Sequence, residues 1–489
     1  MYAARRSCAG DDPSARKRPR LSDLEISGAD KLQSRHEANA AAPSLRAAKG
    51  LPSCDAYPLT PCLVIDEDAV KHNVDIMYKV VNFADNYDDN CDDYDADMLE
   101  SDASTVPPRE QRWRPHLKTT KSSRIWKILI ARGVRHFKVA TTLELEVLIR
   151  TIRDVSSCKR ESDDESYDVL LAYPLASSAS WKMLEKILKD NDFGSARETI
   201  HVSVLVDHPD SFADVPDLVC VFADLNLGMN RTGCADHMSF MYSCAQHFGE
   251  RFVGVSMYEG QHAHELIGDE WAKRNERRDS CDSTYEDFVS VLEKCIAKCR
   301  ASTGEARHAF VTSPSRQFEV LTSGTPSFLP ALRSKRLHNF MASMGFIHRV
   351  SPGTVVLHDA RGARQNPYEE FLHHACFVMA TLVSKPAAHI VTCDAGSKSL
   401  ACESGDPAAF VVEHPDWIPL HPSEEHLPIS IPELDEWERV NRGDRILLVP
   451  EHACPTVALH AKYFVKHTLA DGRHVTGDID ARGHHFGFT

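Results

Sequence analysis

The sequence has no apolar run of about 18 residues, so a membrane-spanning helix is not expected. Its first thirty residues mix Arg, Lys, Asp and Pro without an apolar h-region, and no secretory signal is read there. Positive charge is in deficit. Against 71 Asp and Glu stand 56 Lys and Arg, a net charge of −15, which argues against a general nucleic-acid binder. There is no Gly-rich dinucleotide fingerprint and no internal repeat. With no secretory signal, the 15 cysteines read as reduced thiols, one or two of them ligands, rather than as a disulfide framework. These absences together suggest a cytoplasmic protein whose partners are neither nucleic acid nor membrane. Lys17-Arg18-Pro19-Arg20 fits a nuclear-import patch, although such short basic clusters are more often simply solvated.

What is present suits a globular chain. At 489 residues and 42% hydrophobic it has room for two or three domains. Residues 1–50 are rich in Ala, Ser, Arg and Asp without periodicity and are expected to form a disordered extension. Order is expected from Leu51. Thr60–Asp66 reads as a short apolar strand, and Asp66 as the cap of a helix striped by Val70, Val74 and Met77. An acidic insert near 84–105 repels itself and offers little to bury, which predicts a disordered surface loop. It lacks the turn glycine and spacing of an EF-hand. Residues 159–166 read as a second, smaller insertion.

From Arg114 onward short apolar runs alternate with helical patterns. Strands are predicted at 114–118, 136–140, 168–172, 201–207, 219–225, 252–257, 318–323 and 345–349, with helices between them, for example 142–153 and 178–190. Alternation of this kind implies parallel strands joined by crossover helices, and eight units suggest a closed (β/α)8 barrel of the TIM type over residues 51–350. A doubly wound open sheet is the alternative. After Ser351-Pro352-Gly353 the texture changes to short β runs (Val355–Leu357, His389–Thr392, Ala409–Val412, Ile446–Val449), which predicts a mostly β domain over 351–489.

Five clusters could carry chemistry. In Arg114-Pro115-His116-Leu117-Lys118-Thr119-Thr120-Lys121, one lysine stands near a strand-to-helix junction, where barrel enzymes place reactive groups. Arg114, His116 and Lys121 are expected to surround it with positive charge and favour a nucleophilic amine, the plainer reading being a solvated basic loop. Ser323-Gly324-Thr325 follows the seventh strand, where backbone amides can approach an anion, or forms an ordinary turn. Arg231, in the turn after the fifth strand, could pair with a carboxylate or position the lysine, or simply be a surface Arg in a turn; Tyr258, after the sixth, could meet a ring nitrogen or pack over the barrel mouth. His452-Ala453-Cys454, read as extended chain, would put imidazole and thiol on one face, a pair that suits zinc with open positions; a buried Cys beside a satisfied His is the commoner arrangement. Asp394–Lys398 and Ser423–His426 read as further polar turns.

In this order the clusters resemble the D-serine dehydratase / D-threonine aldolase family of pyridoxal-phosphate enzymes, which share the alanine-racemase-type barrel followed by a β domain. The matching stretches run from Thr60-Pro-Cys-Leu-Val-Ile-Asp66 through Arg114-Pro-His-Leu-Lys118-Thr and Ser323-Gly-Thr-Pro326 to Pro450-Glu-His452-Ala-Cys454-Pro-Thr456. The resemblance implies that Lys118 forms the Schiff base with pyridoxal phosphate. It implies that His116, Arg231, Tyr258, Ser323, Gly324 and Thr325 help bind that cofactor, and that His452 and Cys454 hold zinc. It also implies a homodimer. A Cys at the second ligand position looks like the eukaryotic D-serine dehydratases, whereas Asp is typical of the D-threonine aldolases. The departures are Thr120 where relatives carry His, Glu451 where they carry Asn, Arg349 where they carry an acid, and a phosphate loop poorer in glycine. The implied reaction is β-elimination of D-serine to pyruvate and ammonia. A D-threonine or 3-hydroxy-D-aspartate aldolase, and a weakly active pyridoxal-phosphate-binding regulatory protein, are the alternatives.

Overall fold

A computed structural model of the chain describes residues 59–83, 112–157, 166–193, 199–262, 270–310, 317–365, 371–468 and 474–485. All lie within one unit, residues 43–489; a second unit, residues 1–42, falls outside the described residues. The predicted N-terminal extension, the basic patch, the acidic insert and, apart from Ser166, the second insertion also fall outside them. No helix among the described residues is long and apolar enough to cross a membrane.

The order of elements begins with β1 (Cys62–Ile65) and α1 (Glu67–Phe83), then α2 (Ser123–Ala131). Strands and helices then alternate: β2 (His136–Val139), α3 (Thr142–Ser157), β3 (Tyr167–Leu171), α4 (Ser178–Asp190), β4 (Ile200–Val206), β5 (Cys220–Leu225), α5 (His237–Phe248), β6 (Phe252–Met257), α6 (Glu270–Arg300), β7 (Glu319–Thr322), α7 (Phe328–Arg333), α8 (Lys335–Met344) and β8 (Ile347–Val350). β2 to β8 pair in sequence order, all parallel, as one seven-stranded sheet. The eighth position is filled by residues 112–116. They bridge both edges, Trp113 to Val350 and His116 to Lys138, with Arg114 N donating to Val350 O at 2.9 Å and Lys138 N to Pro115 O at 3.0 Å. This closes the barrel. The predicted first strand ends early, because Leu117–Thr119 winds into a 3₁₀ turn that carries Lys118 off the sheet.

The barrel interior is layered. Strand alternation turns Phe137 and Val139 toward the helices and His136 and Lys138 inward. Leu170, Leu205, Phe222 and Leu321 fill the middle. Beneath them Glu319 accepts from Arg114 Nη2 at 2.6 Å and Arg349 Nη1 at 2.5 Å, and Asp168 accepts from Arg114 Nη1 at 2.8 Å. Arg349 also lies 3.0 Å from His136 Nε2. Arg114 is fully buried in this ionic floor and does not surround Lys118 as expected. Burial would raise the Glu319 pKa, but Arg114 and Arg349 outweigh it and hold it below the usual carboxylate value.

The second sheet is built mostly from the C-terminal third. After α9 (Ala360–Gln365) come β9 (Cys376–Ala387), β10 (Ile390–Cys393), β11 (Ala409–Val411), β12 (Ile418–Pro419), β13 (Leu427–Ser430), α10 (Leu434–Arg439), β14 (Arg445–Pro450), α11 (Ala453–Leu459), β15 (Lys462–Thr468) and β16 (His474–Asp478). Nine strands join in the order β12-β13-β10-β9-β1-β15-β16, with β14 joining β9 to β11. β1 therefore sits between β9 and β15, so the N-terminal strand belongs to this sheet. Asp66 caps α1 as expected, accepting from Ala69 N at 3.1 Å, and also receives Lys466 Nζ at 2.7 Å. The predicted strand Val355–Leu357 is instead a buried 3₁₀ turn, Thr354–Val356. The two polar turns of this region dock on each other, Ser397 N donating to Ser423 O and Lys398 N to Glu424 O.

Candidate active site

Lys118 is exposed between buried Leu117 and Thr119, and among the described residues its ammonium has no hydrogen bond or ion pair. The turn that presents it is fixed from three sides. His116 Nδ1 accepts from Lys118 N at 3.5 Å. Thr120 Oγ1 donates to Leu117 O and accepts from Trp126 Nε1 at 2.9 Å, so Thr120 serves both the turn and the core. Pro352-Gly353 runs over the turn so closely that a Cβ at Gly353 would stand 2.4 Å from His116 O; only glycine fits. Lys121, expected beside Lys118, is paired with Glu144. His116 is held neutral, since burial and then Lys118, Lys138 and Lys121 push its pKa well below the ordinary value.

Loops after β5, β6 and β7 form the next part of the rim. Asn226 Oδ1 accepts from Gly228 N and Asn230 N, both at 3.0 Å, and this turn lays the Arg231 guanidinium 4.8 Å from the centroid of the Tyr258 ring. The other edge of Tyr258 packs on Gly324, where a Cβ would meet its Cε2 at 2.8 Å. Ser323, at φ 59°, gives its amide to the buried carboxylate of Glu259 at 3.2 Å, while Tyr285 Oη holds the other Glu259 oxygen at 2.8 Å. The amides of Gly324 and Thr325 carry no hydrogen bond among the described residues. Thr325 Oγ1 accepts from Thr354 N at 3.3 Å, which links this loop to the one after β8.

Below the rim, Lys138 and Asp224 face the barrel interior and attract each other. Burial lowers the lysine pKa to about 8 and raises the aspartate pKa to about 6. One oxygen of Asp224 is buried without a hydrogen-bond partner among the described residues.

β14 delivers the last pair. His452 precedes α11 with extended backbone, and Cys454 lies in the first turn of the helix. The expected alternation on extended chain is therefore not what joins them; the strand-to-helix bend does. Asp359 Oδ2 fixes that bend by accepting from Ala453 N at 2.7 Å. Cys454 Sγ is met by Thr119 Oγ1 at 3.1 Å and Thr354 Oγ1 at 3.4 Å. Burial opposes a charged imidazole, but Cys454 and then Asp359 and Glu403 outweigh it and raise the His452 pKa to about 9. Burial likewise opposes the thiolate, and His452 overrides it, so the Cys454 pKa is lowered. Each group thus favours the charged form of the other. Among the described residues no group of three or more His, Cys, Asp or Glu stands ready for a metal.

The structure thus brings Lys118, His116, Arg231, Tyr258, Ser323, Gly324, Thr325, His452 and Cys454 to one end of the barrel, along a chain of contacts from Arg231 through Tyr258, Gly324, Thr325, Thr354 and Cys454 to Thr119. Sequence reading did not single out Thr354, Asp359, Glu403, Glu259 or Lys138. Only Lys138 left a signal, a charge inside the apolar run His-Phe-Lys-Val-Ala.

Comparison with known proteins fits this geometry. Residues 375–466, which include both His452 and Cys454, match the family model described as "putative serine dehydratase domain". The 3-hydroxy-D-aspartate aldolase of Paracoccus denitrificans is 23% identical over 431 residues, 84% of this chain and 90% of that protein. The crystal structure of D-threonine aldolase from Filomicrobium marinum superposes with a TM-score of 0.61 at 22% identity, covering 89% of this chain and 98% of that one. D-threo-3-hydroxyaspartate dehydratase from Delftia sp. HT23 gives 0.59 at 18% identity, covering 88% and 99%. An alanine-racemase-like protein from Idiomarina loihiensis gives the same score over the same shares.

The chain therefore has the alanine-racemase-like fold, a parallel barrel followed by a mostly β region. Within that class, residues 375–466 match the serine dehydratase domain, and the chain as a whole is similar to the aldolase and dehydratase relatives just named.

Proposed function

We propose that this chain is a pyridoxal-phosphate- and zinc-dependent lyase that removes water from a D-β-hydroxy amino acid, with D-serine as the substrate. The contact that carries the reading is Thr119 Oγ1 on Cys454 Sγ, because it seats the turn bearing Lys118 against the His452–Cys454 pair. The donors suit both groups. Lys118 offers an uncommitted amine, Gly324 and Thr325 offer unengaged amides to a phosphate, and Tyr258 gives a ring a flat wall. A neutral imidazole and a thiolate suit zinc, and two protein ligands leave positions for substrate and water.

Lys118 would hold the cofactor and His452 with Cys454 the metal; when bound, these groups supply an electron sink for the α-carbon and a Lewis acid for the departing β-hydroxyl. The rest falls to side chains. Displaced from the cofactor, the Lys118 amine takes the α-proton. Neutral His116 keeps the turn in place without adding charge beside that amine. Arg231 and Tyr258 cover the rim and restrict water. Elimination leaves an enamine that hydrolyses to pyruvate and ammonia.

A second reading, cleavage of Cα–Cβ by an aldolase, draws on the curated relatives, described as a 3-hydroxy-D-aspartate aldolase and a D-threonine aldolase. The dehydratase reading draws on Cys454. Solved variants of D-threo-3-hydroxyaspartate dehydratase replace a histidine and, two positions on, a cysteine, the latter in a metal-free form. The spacing is that of His452 and Cys454.

The test is direct. The purified chain is given D-serine, D-threonine and 3-hydroxy-D-aspartate, with and without a chelator, and products are separated. Keto acid and ammonia from D-serine, lost with chelator and restored by zinc, are expected. Glycine plus an aldehyde would favour the aldolase, and no turnover with cofactor bound would favour a regulatory protein. The same sample run by size exclusion with light scattering is expected to give twice the chain mass, for the proposed homodimer.

A further inference from the structure

His452 has a partner outside the His-x-Cys motif. Glu403 Oε1 lies 2.5 Å from His452 Nδ1. A carboxylate only accepts, so Nδ1 carries the proton, and Nε2 is the nitrogen left for a metal beside Cys454. The two groups are 49 residues apart in sequence, in the loop between β10 and β11 and at the start of α11.

That loop is stitched to both flanks of His452. Ala401 N donates to Thr456 Oγ1 at 3.1 Å, and the same hydroxyl donates to His452 O at 2.9 Å. On the other side Ser404 Oγ donates to Glu403 Oε1 at 3.3 Å and accepts from Arg361 Nη1 at 3.2 Å. Arg361 in turn gives its backbone N–H to Glu451 O, one residue before His452. The carboxylate is thus carried on a frame that shares its anchors with the imidazole. The pair itself is too exposed to matter much for folding, with side-chain exposures of 28% for His452 and 50% for Glu403.

We propose that Glu403 is the positioning residue of the metal pair. By accepting from Nδ1 it sets the tautomer and ring angle of His452 and raises the basicity of Nε2. The inference rests on the metal reading given above. It adds a residue that touches neither cofactor nor substrate and acts through the ligand.

Zinc affinity of the cofactor-loaded protein, measured by competition with a chromophoric chelator, tests it in four forms: wild type, Cys454→Ala, Glu403→Ala and Glu403→Gln. Wild type is expected to take up zinc and Cys454→Ala to lose it. Glu403→Ala should bind about 10–100-fold more weakly. Glu403→Gln, whose amide oxygen still accepts from Nδ1, should recover most of that loss, which a merely structural effect of the loop would not explain. Thermal unfolding of the metal-free variants is expected to match wild type, which shows that the loop stays in place. Glu403→Ala binding as tightly as wild type, while Cys454→Ala has lost zinc, would overturn the role of Glu403 and leave the metal reading standing. No zinc uptake by wild type would remove the metal reading, and Glu403's role with it.

Discussion

Lys118 stands apart from the other rim lysine because no described residue forms an ion pair or hydrogen bond with its ammonium. Lys121 is spent on Glu144, whereas Lys118 is left uncommitted on a braced turn. Lys118→Ala should therefore lose the visible absorbance of bound cofactor, and turnover should fall by at least about 10²–10⁴-fold, with thermal unfolding of the apo protein unchanged. An unaltered spectrum would take this lysine out of the chemistry. Lys138 calls for a different experiment. Its amine is held at about 8 in place of 10.5, because burial disfavours the ammonium more than Asp224 favours it. The stability contributed by that group is present above about pH 10.5 and lost as the pH falls through about 8. Lys138→Met, free of cofactor, should then be more stable than wild type at pH 7, by up to about 3 kcal/mol, and the two should converge toward pH 10 in urea titrations. A gap independent of pH would assign the effect to packing instead. The residues that sequence exposes are those adjacent along the chain, such as His452 with Cys454. Glu403 and Asp359 reach the same pair from 49 and 94 residues away, a relation visible only after folding.

At the scale of elements, the barrel floor is where charge replaces apolar packing. Glu319 is shared by Arg114 and Arg349 inside β7 and β8 and the closing segment. Glu319→Gln leaves two buried guanidinium groups short of a counter-charge. It should cost about 3–5 kcal/mol, read as a lower urea midpoint with little change in slope. Seven of the eight predicted barrel strands were legible because parallel strands covered by helices are apolar on both faces. The eighth was misplaced by two residues, since a 3₁₀ turn of Leu-Lys-Thr has no periodicity of its own. Val355–Leu357 shows the converse error. Three buried apolar residues read as a strand, yet their backbone is coiled where the loop after β8 packs against α1. β12 and β13 went unread because Pro419 and Pro428 argue against strands, and both are short elements at the end of the sheet path.

At the scale of the molecule, β1 ties the start of the described chain to its finish. It lies between β9 and β15, and Asp66 just after it binds Lys466 while capping the first helix against the barrel. A chain that begins after Asp66 should lose the centre of the second sheet along with that buried pair. It is expected to be recovered in aggregates or to melt without a cooperative transition by circular dichroism. A soluble, cooperative product would show that the sheet closes without β1. The overall class was readable from strand–helix alternation and a later change of texture, whereas the membership of β1 was not, because four apolar residues carry no record of their neighbours.

The contact of Thr119 with Cys454 joins points 335 residues apart. A ribosome adding about 5–20 residues per second finishes the lysine-bearing turn roughly 15–70 s before it makes the thiol that completes the site. On the proposed function, a nascent chain in that interval therefore carries the amine of Lys118 without the thiol of Cys454.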